Sequence, residues 1–162
     1  MRDILFRAKR IDNGEWVEGA LFYPYNIKTA YIIYQSKMTE VFEDGVGGFD
    51  ALGYEVDKDT LCQYTGLKDK NGKKIWENDI IKPYDTVTNE NYIISWDKEM
   101  GAFVFCDINT NNSLYVLVGH YIESIQSVEV IGNIFDNPEL LNYVDNEASQ
   151  QAHQEVFKSA TE

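Results

Sequence analysis

The chain reads as a mostly β protein, and three observations predict this. Short runs of β-branched and aromatic residues recur along it, turn residues separate them, and Asn-Gly pairs stand where hairpins need them. At 162 residues, 44% hydrophobic and 14% aromatic, the chain holds enough material for a packed core without a disulfide or a metal.

The elements follow in order. ILF (4–6) runs through basic residues into Asp12-Asn13-Gly14 and out into EWVEGALFY (15–23), a hairpin signal because Asn-Gly accepts positive φ. TAYIIY (29–34) fits a strand. EDGVGGFDALG (43–53) holds four glycines without a period and predicts a long loop. A phosphate cradle would lead from such a loop into a helix opened by a lysine. Here YEVDKDT follows, acidic and strand-like, which argues against phosphate binding.

TLCQY (60–64), KIW (74–76) and a strand beginning at Asp79-Ile80-Ile81 come next. NYIISWD (91–97) and AFVFC (102–106) flank KEMG as a hairpin, the second strand apolar on both faces. Residues 113–118 and 128–135 complete the strands; Val128, Val130 and Ile134 share a face, and Gly132 would admit a bulge or a close backbone approach. Asn137, Pro138 and Glu139 suit an N-cap and first turn, so a short C-terminal helix is expected over 138–143. The organisation predicted is one β-rich domain over 1–137, then a short helix and polar tail over 138–162.

Charge and cysteines bound the function. Of a net −13, residues up to Lys82 carry 12 basic and 14 acidic groups, and those beyond carry 2 and 13. Phosphate backbones are held by clustered lysine and arginine, so nucleic acid is a disfavoured partner. No run has signal-peptide or membrane-span length. Cys62 and Cys106 stand in apolar runs and read as reduced, buried thiols, so a cytoplasmic protein with no membrane contact is expected.

Residues that could carry chemistry are sparse. His120 and His153 have no second ligand at metal spacing, and convergence of Cys62, Cys106 and His120 would be accidental. Glu77 with Asp79, and Asp97 with Glu99, could hold a cation or exchange protons, but they read as turn and strand-edge carboxylates. No calcium-loop spacing, Ser–His–Asp arrangement or nucleophile elbow is present. The expectation is a non-enzymatic protein with no catalytic residue, cofactor or metal.

One segment stands apart in charge. In KDKNGKK (68–74), Asn71-Gly72 suits a type I′ turn, and four lysines against Asp69 give +3 on an acidic chain. Lys68, Lys70, Asn71, Gly72, Lys73 and Lys74 thus form a candidate contact loop that would dock on an acidic patch of another copy. Two alternatives compete. A nucleic-acid surface would use Tyr23, Tyr25, Tyr31 and Tyr34 with Arg2, Arg7, Lys9 and Arg10. An acidic surface imitating DNA would inhibit a host protein with the second-half carboxylates.

Four segments in order, MRDILFRAKRIDNGEWVEG, DKDTLCQYTGLKDKNGKKIWENDIIK, YIISWDKEMGAFVF and VEVIGNIFDNPELL, resemble the YopX family of small phage and prophage proteins. The resemblance implies a β-barrel-like fold with SH3-like character around NDIIK, frequent self-association, and no established catalytic residues. It implies a phage- or prophage-derived accessory protein acting on itself and on an unknown phage or host protein. The chain departs from the family pattern at Ala8, where Gly is usual, at Asn78, again for Gly, and in the tail after about residue 145. Asn tolerates a left-handed backbone next best after Gly, so the turn at Asn78 could survive.

Overall fold

The structure is a computed structural model, and it describes residues 3–25, 29–41, 47–83, 91–107, 116–117 and 128–141. It divides into two compact units, Met1–Gly66 and Leu67–Glu162. Both are built from antiparallel strands, as expected.

The first unit holds β1 (Phe6–Lys9), β2 (Trp16–Phe22), β3 (Ala30–Val41), β4 (Gly47–Val56) and the start of β5 (Cys62–Lys68), ordered β4-β3-β2-β1-β5. The β1–β2 hairpin lies where DNG predicts it: Lys9 pairs with Trp16, and Gly14 takes φ +73°. The glycine-rich segment is not the expected loop. Its part from Gly47 to Gly53 is strand, paired with β3 through two register irregularities; residues 42–46 are outside the described set. Gly53 in β4 and Gly19 in β2 mark close packing: a Cβ on Gly53 would sit 2.8 Å from the Ile32 carbonyl oxygen, and one on Gly19 only 2.1 Å from that of Ile33.

The core of this unit is Ala8, Ala30, Ile32 and Val56, with Phe6, Val17, Leu21 and Leu61 packed against it. Small buried residues let the sheet curl until Arg10 bridges Val56, the Ile11 N–H donates to the Glu55 carbonyl at 3.1 Å, and the Asp57 N–H donates to the Lys9 carbonyl at 2.8 Å.

In the second unit the end of β5 turns back into β6 (Lys74–Trp76). Then β7 (Asp79–Pro83), β8 (Tyr92–Asp97), β9 (Ala102–Asp107), β10 (Val116–Leu117) and β11 (Val128–Asn133) form a sheet in the order β10-β9-β8-β7-β11. The core is Ile75, Ile81, Ile94, Phe103, Phe105, Val128 and Val130. The KEMG hairpin has the expected register, Asp97 opposite Ala102, and β11 bulges between Val130 and Gly132 as its glycine suggests. That bulge ends the simple alternation, and Asn133 rather than Ile134 becomes buried.

Two expectations are corrected. The described sheets do not close into a barrel: each keeps two edge strands, and in the first the approach of Arg10, just after β1, to β4 stops at a single bridge. The C-terminal helix is a 3-10 turn at Pro138–Leu140. Its i→i+3 bonds, Leu140 N–H to Asn137 and Leu141 N–H to Pro138, end where Leu141 turns extended and buries its side chain. Residues from 142 onward, with most of the expected tail, lie outside the described residues.

Candidate functional site

The lysine loop is ordered by a carboxylate that charge counting treats only as an offset. Asp69, 6% exposed, accepts at Oδ1 from the Asn71 N–H (2.8 Å) and the Lys73 N–H (2.9 Å), and at Oδ2 from the Val130 N–H (3.1 Å). Burial pushes this carboxyl up, but the bonds from Val130, Lys73 and Asn71 outweigh it and hold the group below the ordinary aspartate range. The turn is not type I′. Gly72 takes φ +81° while Asn71 stays at negative φ, the Gly72 N–H donates to the Asp69 carbonyl and the Asp69 N–H to Lys73, a three-residue loop over 70–72.

This anchoring changes what the lysines are. Lys70 pairs with Glu129 at 2.8 Å, Lys73 Nζ reaches the Val130 carbonyl at 3.5 Å, and Lys74 Nζ lies 5.6 Å from the centre of the Trp76 ring. Asn71 donates to Glu129 at 3.4 Å. Lys68, Lys70, Asn71, Gly72 and Lys73 still face solvent on the hairpin held against β11, while Lys74 is half-buried.

The neighbouring turn is also internal machinery. Asn78 has φ +64°, the left-handed conformation for which Asn substitutes for Gly. Its N–H donates to the Ile94 carbonyl at 2.8 Å, and its carbonyl accepts from Ile134 at 3.1 Å. Asp79, 1% exposed, accepts the Trp76 N–H at 2.8 Å. Asp97 caps its own turn through the N–H groups of Glu99 and Met100, both at 2.8 Å. One carboxylate of each pair, Asp79 and Asp97, therefore acts on main-chain donors.

The first unit carries the cation–aromatic surface. Arg7 and Lys9 lie over the Trp16 ring at 4.7 and 5.5 Å. Arg10 lies 3.8 Å over Tyr54, which stacks on Tyr34 at 4.9 Å. Asp12 clamps Arg10 with both oxygens, Nε to Oδ1 at 2.8 Å and Nη2 to Oδ2. That bond raises the arginine further and, first among its causes, holds Asp12 below the ordinary range. Tyr34 is pushed up by its hydrogen bond with Tyr54 and then by burial. Ile11, Asp12, Tyr54 and Glu55 line a shallow recess beside this stack.

The residues proposed for a nucleic-acid surface do not form one face. Pairing puts Arg7 and Lys9 on the face of Trp16, whereas Arg10 and Tyr34 meet Tyr54 on the face that carries the core residues Ile32 and Val56. Tyr23 and Tyr25 are exposed, Tyr25 at 92%, and Arg2 lies outside the described residues. The Arg10–Tyr54 pair spans 44 positions and left no sequence signal. Asp69 left one, an Asp two residues before Asn-Gly.

Among the described residues no His, Cys, Asp and Glu group could hold a metal ion. Cys62 is buried and Cys106 half-buried, neither in a disulfide; burial pushes the Cys106 thiol up. No described helix is long and apolar enough to cross a membrane. His120 and His153 lie outside the described residues.

Compared with known proteins, residues 5–142 match the sequence profile of the family described as YopX protein. The chain belongs to the YopX family. A solved structure similar to this YopX chain is the crystal structure of protein EF1440 from Enterococcus faecalis, 24% identical, covering 88% of this chain and 100% of that one with a TM-score of 0.59. The likeness shows a shared fold. No curated protein matches. Within this YopX chain, Ala8 is wholly buried, and Asn78 keeps a left-handed turn.

Proposed function

We propose that this YopX-family chain is a phage- or prophage-derived accessory protein that works by contact, with itself and with a phage or host protein, and not by catalysis. The supporting observation is where its polar groups go. The buried carboxylates Asp69 and Asp79 and the turn carboxylate Asp97 accept main-chain N–H groups, so their bonding is spent on shaping turns. What remains outward is contact surface: Ile11, Phe22, Tyr23, Tyr25, Tyr34 and the ordered lysine loop. The protein acts in the cytoplasm.

Light scattering across a salt series tests the proposal. Particles larger than one chain at low salt, dissociating as salt rises, agree with contact through the lysine loop. A monomer at every salt concentration overturns self-association, and turnover of a small molecule by the purified chain overturns the non-enzymatic reading.

A nucleic-acid role is the second reading, favoured by Arg7 and Lys9 over Trp16 and by the exposed Tyr25. The division of its residues between two faces and the net charge of −13 weigh against it. Retention of single-stranded DNA on a filter at low salt would revive it. The acidic-mimic alternative needs second-half carboxylates on one face; of those described, Glu129 pairs with Lys70, and Asp97 and Asp136 serve turns.

A further inference from the structure

An edge strand leaves a row of main-chain N–H and C=O groups open to pairing with another chain, and proteins cover such edges with loops and lysines. Among the described strands β11 is an edge of its sheet. Pro83, opposite Val128, has no N–H to give, so Val128 and Val130 turn their main-chain groups away from β7. The lysine loop takes those groups. The Lys70 N–H donates to the Val128 carbonyl at 3.1 Å, Asp69 Oδ2 accepts the Val130 N–H at 3.1 Å, and Lys73 Nζ approaches the Val130 carbonyl at 3.5 Å. Lys70 and Asn71 both reach Glu129 on the same strand.

We infer that the 69–73 loop is a latch that keeps the β11 edge from taking a strand of a second copy of this chain, and that Asp69 holds it shut. One carboxylate bonds both sides of the closure: two loop N–H groups at Oδ1 and one β11 N–H at Oδ2. Removing it uncaps the turn and uncovers Val130 together. The occupant of the opened edge is another copy because every copy carries the same edge, and an antiparallel strand pair about a two-fold axis is self-complementary. The inference goes beyond the contact reading above, since it names a surface barred from association.

The test uses the full-length chain carrying Glu129→Cys, alone and with Asp69→Ala, under mild oxidation. Glu129→Cys removes the Lys70 and Asn71 contacts, so with Asp69 intact it must keep the Val130 amide protected from exchange. Loss of that protection overturns Asp69 as the group that holds the loop shut. Asp69→Ala without the new thiol is the control for Cys62 and Cys106. Crosslinked dimer at position 129 is expected to rise at least tenfold when Asp69 is replaced, together with loss of hydrogen-exchange protection at the Val130 amide in the uncrosslinked chain. Equal crosslinking in both backgrounds overturns the latch, as does an unprotected Val130 amide without added crosslinking. Asp69→Asn, which keeps shape and one acceptor, repeats the test if Asp69→Ala loses its near-ultraviolet signal. If both variants lose that signal, Asp69 is a folding requirement and the latch is overturned. Salt-dependent association through another surface leaves the position-129 crosslink unchanged, so this inference and the contact proposal fail separately.

Discussion

The first unit packs two alanines, one isoleucine and one valine at its centre, and places arginine–aromatic stacks at its surface. The second packs isoleucine, valine and phenylalanine and buries Asp69 and Asp79 among them. In the first, arginine–aromatic pairs remain where a partner could reach them; in the second, buried carboxylates hold turns and a strand edge together beneath the solvent-facing lysine loop. Backbones in close approach support one unit and bulky side chains the other, so substitutions should damage them differently. Trp16 reports on the first unit, and Trp76 and Trp96 on the second.

The largest effect expected is from Ile94→Ala, which empties a wholly buried position in the larger core. It should cost about 2–5 kcal/mol, read as an earlier denaturant midpoint by Trp76 and Trp96 fluorescence. An unchanged midpoint would show that this core is not what holds the second unit.

Gly19→Ala comes next, at about 1–3 kcal/mol, because its Cβ would meet the Ile33 carbonyl oxygen at 2.1 Å, and rigid backbone cannot yield as a side chain does. The loss should appear in the Trp16 signal. Gly14→Ala serves as the contrast: open space surrounds it, and only its φ of +73° resists, at about 1 kcal/mol.

Acid sharpens the comparison further. The Asp69 carboxyl is depressed in the folded chain, so its contribution is complete above the ordinary aspartate value of about 3.9 and is lost as pH falls through the lower folded value. Stability of the second unit should therefore decline below about pH 4 with a steeper slope than in Asp69→Asn. Matching slopes would mean that Asp69 is not the titrating latch.

The smallest effect expected is at the surface of the first unit. Asp12→Asn removes the Arg10 clamp, but Asp12 faces water and Arg10 is only partly buried, and thermal melting should not shift measurably. A clear loss would mean that the Arg10–Tyr54 stack is structural rather than available for contact.

Much of the strand pattern was legible because it rests on local chemistry. DNG, KEMG and the alternation in NYIISWD specify hairpins through φ preference and face pairing, with no need of distant residues. Gly132 announced its bulge for the same reason. The errors came where distant contacts decide. The 43–53 segment looks like loop because its four glycines lack side chains to pack, yet its part from Gly47 onward is strand, and Gly53 is what lets β4 lie close to β3. Pro138 and Glu139 suit a helix start, but burial of Leu141 ends it after one turn. The lysine surface was visible as charge; its tether to β11, 57 to 61 positions away, was not.

By itself the sequence determined most of the strands, the hairpins at DNG, KDKNGKK and KEMG, and the acidic balance, since each follows from residue types within a few positions of one another; the family was legible in four segments in order. Only the tertiary structure decided that the described sheets stay open, that Asp69 closes an edge, and that Arg10 stacks on Tyr54. Those outcomes depend on which backbones come within hydrogen-bonding distance, and such meetings are set by packing over tens of residues rather than by any local preference.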